Sequence, residues 1–596
     1  MIEISQTKFT GIVWQLRYEA LASLASMLAF FFCLHLLCPP LSGTFSLGPG
    51  NEARQFQGGF SFSGAGATAY IDGTIRLPRI YPTLFRIVPD DCLTSLEVNG
   101  VAVSAGLPVC SYRKGALFDL KDYLHRGENS IRAIVKNTGG AGGLRLEPCF
   151  GDWRIMGLLF ASLSAVFVCA IRALRRLGAL HDPLILVLII GALIRIAYFI
   201  GTPSDVRAYD FMGHLAYVWY VLSHFTIPPA QQGWEFYQPP LYYFCVALVL
   251  SPFKLLGFDN WVLLKIAQCA SLVLSCASLA LAVWISKLLW IGPGASRCRL
   301  AFVTTLGVLP GIVFSASRIS NDTLVEFLAF AFFALLLRWW RFGSPRAWYG
   351  AVIVLGLGVL TKSNFLPYIG IAGLTLLSRP RGEAREASIA ALLIRSGFIL
   401  VIMTSWYFLY RFGFEGEKHL VGNIANLNRK LFIPLNVTNF LKVNPLAVIR
   451  DPFNDPWTEA SGRSYLWEYL IKSAFTGEWR FHGRVQALIA ALQVINFFVF
   501  LPLALLMLMR DVARLRNAPL WSSALIPVAS MICIVILHPV AVLQDFRHVH
   551  IMVIPITFYV VSGIDLLPGW IRKVGWWMVG SFCVLCVLAL GEILLS

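Results

Sequence analysis

Apolar runs recur along the whole of this chain, many of them close to twenty residues, and they constrain its fold more than any other feature. A helical run of that length matches the hydrocarbon thickness of a bilayer. Thirteen spans fit the hydropathy, at about 21–38, 155–171, 183–202, 261–287, 301–316, 323–338, 348–361, 364–378, 388–410, 486–508, 519–537, 549–567 and 574–594. Composition agrees: 14% of residues are charged, where a soluble protein carries about a quarter. The expected class is a polytopic α-helical membrane protein. Leu21–Cys38 is followed by Pro39-Pro40 instead of small residues suited to cleavage, so it is expected to persist as a signal anchor.

The formal net charge of +17 does not call for a nucleic-acid partner, because the cations gather in short clusters between runs. These are Arg172, Arg175 and Arg176; Lys287, Arg297 and Arg299; Arg338, Arg341 and Arg346; Arg379, Arg381 and Arg385; Arg510, Arg514 and Arg516; and Arg572 with Lys573. All fall on one side together with the N-terminus, and by the positive-inside rule that side is the cytoplasm. Leu241–Gly257 is apolar but short and interrupted by Pro252 and Lys254. Were it to span, the Lys287 cluster would move outside, so an interfacial helix is expected. The predicted organisation is an N-terminal helix (1–40), an extracytoplasmic β-domain (41–152), a helix and inner loop (153–182), a core with an outer loop at 203–260 (183–410), an outer loop (411–485) and C-terminal helices (486–596).

The β-domain is the one long water-soluble stretch. Its segments AYIDGTIRL, LFRIV, LEVNGVAV, GALFDL and NSIRAIV alternate apolar with polar residues, and Asn99-Gly100 is a strong hairpin signal. They predict an inserted antiparallel β-sandwich resembling carbohydrate-binding jelly rolls, for which a structural or partner-binding role is the expectation ahead of carbohydrate binding. Four cysteines lie outside the spans. Cys92–Cys110 with Cys38–Cys149 is the pairing that suits an oxidising periplasm, one of three arrangements that four cysteines allow.

Chemistry concentrates in Gly201–Phe244, where Asp205, Arg207, Asp210, His214, His224 and Glu235 sit among aromatics directly after a span. Ionisable residues at membrane depth are costly and mark sites. Asp210 and His214, four apart, would share a helix face, and Ser204 or Asp205 after Pro203 suits an N-cap. Three later outer turns add Arg318 and Asp322, then Lys362, then Asp545, Arg547, His548 and His550, and Arg411 opens the long outer loop. Cations at this depth suit a phosphate; carboxylates suit general-base work on a hydroxyl.

Tyr209-Asp210-Phe211-Met212-Gly213-His214, Trp234-Glu235-Phe236-Tyr237-Gln238-Pro239-Pro240-Leu241-Tyr242-Tyr243, Leu360-Thr361-Lys362 and Asp545-Phe546-Arg547 follow in an order that resembles the GT-C superfamily of membrane glycosyltransferases. The likeness is to the bacterial branch of protein O-mannosyltransferases and aminoarabinose transferases, over about residues 183–567. It implies a sugar donor on polyprenyl phosphate, an acceptor that is a glycan, a lipid or a protein, inversion at the anomeric carbon, and a periplasmic site in a bacterial inner membrane. It implies Asp210 or Asp205 as general base, with His214 orienting Asp210 or touching the acceptor. Lys362, Arg547, Arg411 and Arg318 would hold the donor phosphate, and Glu235, Tyr237, Gln238 and Tyr242 the substrate. A divalent metal shared by Asp210 and Asp322 is compatible with the family and not required. Relatives show Asp-Glu or Asp-x-Asp where this chain has Asp-x4-Asp, which leaves the choice of acid open. A flippase for lipid-linked sugars and a non-catalytic envelope assembly subunit are the alternatives.

Overall fold

The structure, a computed structural model, describes residues 6–48, 51–63, 66–104, 106–110, 114–139, 141–379, 387–417, 423–481 and 483–595. Arg381 and Arg385 of the fourth basic cluster lie outside them. The chain forms two compact units, Met1–Asp182 with Leu250–Ala267 and Pro183–Val249 with Gln268–Ser596.

The first unit holds helix Gln6–Leu37, ten strands and helix Trp153–Arg176. The helices approach closely at small residues, with the Ser26 and Ser162 hydroxyls 3.2 Å apart. The strands are β1 (Ser42–Leu47), β2 (Arg54–Gln57), β3 (Gly59–Ser63), β4 (Thr68–Leu77), β5 (Leu84–Pro89), β6 (Cys92–Val98), β7 (Val101–Ala102), β8 (Ala116–Asp119), β9 (Gly127–Lys136) and β10 (Ala141–Pro148). They pair in the order β7-β6-β9-β4-β1-β2-β3-β10-β5-β8, antiparallel throughout. Along β4 and β9 every second side chain is buried, as a half-solvated strand requires. β2 and β3 are joined only through Gln57 and Gly59. Ile71, Leu96 and Ile131 from one half share a single core with Phe85, Phe118 and Leu146 from the other, so the sheet folds over on itself as a sandwich. Asn99 and Gly100 take φ of 53° and 79° and close the β6–β7 hairpin in the primed-turn conformation.

Cys92 and Cys110 are bonded. Cys38 and Cys149 are free thiols, against the expected second bridge. Each is held in its own local structure: the Cys38 N–H closes the end of the first helix on the Leu34 carbonyl, and the Cys149 Sγ accepts from the Gly151 N–H. Asp152 caps the helix that follows, and its other oxygen accepts the Thr83 N–H at 2.7 Å, which ties that helix to the sandwich.

The second unit is helical. Across the described residues of both units, nine helices are long and apolar enough to cross a membrane, and a tenth, Ser296–Val308 with Pro310–Ser317, is bent by 59°. Pro310 lacks an amide hydrogen and forces Leu309 into an extended conformation, which breaks that helix. Three more predicted spans are short helices, Pro345–Val359, Ser363–Leu377 and His550–Leu566. At 1.5 Å per residue even seventeen residues reach only about 25 Å, less than the roughly 30 Å hydrocarbon layer. Leu241–Leu255, with Pro252 inside it, is also too short to span as a straight helix. The broken and shortened helices end at polar turns, and those turns supply most of the site.

Candidate active site

Helix Pro183–Gly201 ends in a loop that bends twice through left-handed backbone, at Arg207 (φ 53°) and Asp210 (φ 47°). Non-glycine residues rarely hold this conformation without surroundings that enforce it. The next helix starts at Phe211, so Asp210 is its N-cap position, although its side chain makes no capping bond. The predicted face-sharing of Asp210 and His214 therefore fails: Asp210 lies outside the helical turn. One carboxylate oxygen accepts from the Trp234 indole N–H at 3.0 Å, and the other lies 3.8 Å from the Arg547 guanidinium. The side chain remains 37% exposed. Asp205 is buried, in a turn closed by Val206 N–H to the Pro203 carbonyl, and caps no helix.

His214 is buried, with Nδ1 at 2.8 Å from the Tyr243 hydroxyl and Nε2 at 3.2 Å from the Ser320 hydroxyl. Both ring nitrogens are thus occupied away from Asp210, and burial pushes the imidazole down to about 4, so it is neutral at pH 7. Its bond to Ser320 links helix Phe211–His224 to the turn before helix Asn321–Phe342. Ser320 is the N-cap of helix Asn321–Phe342, and Asp322 sits in the first turn. There its Oδ1 meets Lys362 Nζ at 2.5 Å, with both side chains less than a tenth exposed. Lys362 occupies the extended residue between Pro345–Val359 and the turn Ser363–Phe365.

The fourth turn closes the cluster. Asp545 accepts the Arg547 N–H through Oδ1 and the Tyr209 hydroxyl through Oδ2 at 3.1 Å. Tyr209 lies between two cations, with Arg547 3.8 Å and Arg318 4.5 Å above its ring. Glu478, beyond the helix Leu466–Thr476, accepts from the Tyr469 hydroxyl at 2.5 Å. Burial and the neighbouring Asp545 push Glu478 up to about 8, burial raises Asp545 against the pull of Arg547, and the acids around Arg547 raise its own pKa against burial. Glu478 did not stand out in the sequence; the signal was an acid beside an aromatic, Glu478-Trp479, directly after a helix-ending glycine, the same chemistry as Trp234-Glu235.

No protein-family model matches the sequence, and no curated protein matches it. Similar solved structures include the arabinofuranosyltransferase AftD from Mycobacteria, at 13% identity over 68% of this chain and 26% of AftD, with a TM-score of 0.39. They include the oligosaccharyltransferase AglB from Archaeoglobus fulgidus in complex with an inhibitory peptide and a dolichol-phosphate, at 12% identity over 69% and 55%, TM-score 0.38. ArnT from Cupriavidus metallidurans, bound to undecaprenyl phosphate, matches at 15% identity over 65% and 80%, TM-score 0.32. The chain spans about a quarter of AftD and about half of AglB.

Three expected ligands sit away from an open site, and a metal has no ready donor set among the described residues. Arg411 donates to the carbonyls of Pro228 and Phe236 and pairs with Glu415, so it braces the loop before the Pro-Pro element instead of presenting its fork to a phosphate. Arg318 donates to the Arg207 carbonyl beneath the rings of Tyr209 and Trp479, and so supports the strained loop. Tyr242 is 1% exposed and lies in the packed interior. A divalent metal fits the donor set poorly: the Lys362 ammonium takes Asp322, the indole and Arg547 take Asp210, and no group of three His, Cys, Asp or Glu suited to a metal occurs among the described residues.

Glu235, Tyr237 and Gln238 form a linked set. The Gln238 amide donates to Glu235 Oε2 at 3.0 Å and to the Tyr237 hydroxyl at 2.8 Å. Burial and the nearby Asp210 push Glu235 up to about 8. Gly213 makes room for this loop: a Cβ there would lie 2.7 Å from Glu235 Cγ and 3.1 Å from Trp234 Cδ1. Two cavities adjoin the cluster. One of about 470 Å³ is walled by apolar residues, including Leu470, Phe475, Phe497 and Val553, and reaches Phe546 and Val549 on either side of Arg547. The other, about 640 Å³, is polar and has Trp234 in its wall.

Proposed function

We propose that this chain is a membrane glycosyltransferase that moves a sugar from a polyprenyl phosphate to an acceptor hydroxyl, with inversion, on the periplasmic face of a bacterial inner membrane. The observation that carries the reading is Asp210. It is a part-exposed carboxylate held by the Trp234 indole and facing the Arg547 guanidinium, whose chain neighbours Phe546 and Val549 line an apolar cavity. A general base must be reached by its substrate, and Asp210 is open where Asp205 is buried.

In this reading the prenyl chain lies in the apolar cavity next to Phe546, which brings its phosphate to Arg547 and Lys362. The acceptor oxygen attacks the anomeric carbon as the bond from that carbon to the phosphate oxygen breaks. Asp210 takes the acceptor's proton, and the polyprenyl phosphate leaves with the bonding electrons, its charge met by Arg547 and Lys362. Neutral His214 holds Ser320 and Tyr243 in place and takes no proton. The orientation, with the N-terminus in the cytoplasm and the site outside, rests on the basic clusters.

Transfer from a radiolabelled polyprenyl-phosphate sugar in membranes tests the assignment. Asp210→Asn is expected to lower turnover about a thousandfold, with thermal stability close to wild type because the side chain is part-exposed. Wild-type turnover in both Asp210→Asn and Asp205→Asn would sink the site. Uptake of the lipid-linked sugar across vesicles without transfer would favour a flippase.

A further inference from the structure

In the proposed reading the donor occupies the apolar cavity and leaves free the polar one that Trp234 walls. Its described lining combines two aromatic faces, Trp234 and Tyr237, with four amides, Gln231, Gln232, Asn423 and Asn426. Glu417 is the one charged side chain in that described lining, and no described lysine or arginine contributes. We propose that this cavity is the acceptor subsite and that it takes a sugar ring of a glycan, stacked on the Trp234 indole with one hydroxyl turned to Asp210. The proposal rests on the glycosyltransferase reading and names its acceptor class.

Three observations carry it. First, Trp234 belongs to both places: its N–H holds Asp210 while its ring, 37% exposed, walls the cavity. A group lying on that ring is therefore next to the carboxylate. Second, the lining chemistry selects among acceptors. Amides donate and accept at once, as hydroxyls do, and aromatic faces pack the C–H faces of a sugar. To a phosphorylated lipid headgroup the described lining offers amides and the Glu417 carboxylate, which repels an anion. Third, the walls are held before any ligand arrives. Gln238 ties Tyr237 to Glu235, Glu235 reaches Asn423 at 3.4 Å on the opposite side, and the Tyr407 hydroxyl donates to the Tyr237 carbonyl at 2.8 Å. The volume lies within the usual small-ligand range of about 300–1,000 Å³.

The test is binding without chemistry. Full-length protein in nanodiscs is probed by saturation-transfer NMR with methyl α-D-mannopyranoside and maltotriose, and in parallel with N-acetyl-serinamide and a sugar phosphate. Undecaprenyl phosphate binding is measured on the same sample. The glycosides are expected to receive saturation and maltotriose to bind more tightly. Trp234→Ala should weaken both about tenfold, and Asn426→Ala should weaken them without touching Asp210. Trp234→Phe, which keeps a ring and loses the N–H, should retain glycoside binding while transfer falls. No glycoside signal, or stronger binding of the serinamide or the sugar phosphate, overturns the acceptor assignment. If undecaprenyl phosphate still binds in that case, the transferase reading stands. Absence of undecaprenyl phosphate binding removes that reading and the subsite with it.

Discussion

In the sandwich, Arg132 reaches Asp72 at 3.8 Å and Glu97 at 3.6 Å with 64% of its side chain in solvent. In the helical unit, Lys362 meets Asp322 at 2.5 Å with 9% and 4% exposed. The first pair loses little hydration and gains little; exposed pairs contribute about 0–1 kcal/mol. The second has given up the water around two ions, an effective cost of several kcal/mol for each. An apolar pair would serve a helix bundle better, so stability alone does not explain why Lys362 and Asp322 are there. Arg86–Glu147 is the sandwich's more buried pair, at 8% and 12% exposed, and it draws on Arg145 as a second cation. The contrast teaches that charge on the exposed face of the sandwich decorates a fold, whereas the buried pair Lys362–Asp322 is assembled at a cost that stability does not repay.

The sharpest way to break that comparison is to remove one ion of the buried pair. Lys362→Met leaves Asp322 uncompensated and is expected to cost about 3–5 kcal/mol. Adding Asp322→Asn should recover most of that stability but no transfer activity. Thermal unfolding in detergent measures the first effect and labelled-sugar transfer the second. A double variant as active as wild type would show that the pair is only structural.

The positions of these charges were legible in the sequence; their partners were not. Asp210, Asp322, Lys362 and Arg547 stood out because acids and cations at helix ends of an apolar chain are costly to keep near lipid, and four separate turns do bring them together. Local spacing misled where the backbone left its regular path. The four-residue interval from Asp210 to His214 implies a shared face only inside a helix, and the left-handed Asp210 lies just outside one. Arg411 read as a free cation because the carbonyls it braces, those of Pro228 and Phe236, are more than 170 residues away in sequence. In the sandwich, β4, β5, β6 and β9 followed from their alternating Val, Ile and Leu. β1, β2 and β3 set single Phe residues among Gly, Ser, Gln and Arg, and β10 opens on Ala-Gly-Gly, so none shows the Val, Ile and Leu alternation that marks a strand before its partners are known.

A pH series probes the same contrast with a smaller effect. Glu235 and Glu478 are pushed from 4.5 up to about 8 by burial. Between those values the folded chain holds protons that the unfolded chain has released, so stability falls as pH rises through the window. His214 acts in the opposite sense: lowered from 6.5 to about 4, it takes a proton on unfolding, and stability falls as pH drops through that range. The two acids outweigh the one histidine where the windows overlap, so across these three groups the melting temperature should decline as pH rises from about 5 to 8. Glu235→Gln with Glu478→Gln should flatten the alkaline side, raising the melting temperature at pH 8 by a few degrees. An unchanged alkaline slope in that variant would mean these acids are not held protonated by the site.

The smallest expected effect tests the other half of the comparison. Arg132→Ala removes both exposed ion pairs of the β4–β9–β6 face at once, since Arg132 alone supplies the cation to Asp72 and Glu97. Each pair is solvated on both sides, and the side chain's flexibility is regained when the pair is lost. The expected change is about 0–1 kcal/mol, shrinking further in high salt as screening removes what Coulomb attraction remains. Glycosyl transfer should be unaffected, because no site residue lies on this sheet. A larger loss of stability would show that the sandwich face depends on its charges as the helical unit does. A loss of transfer with stability intact would instead give that face a part in the function.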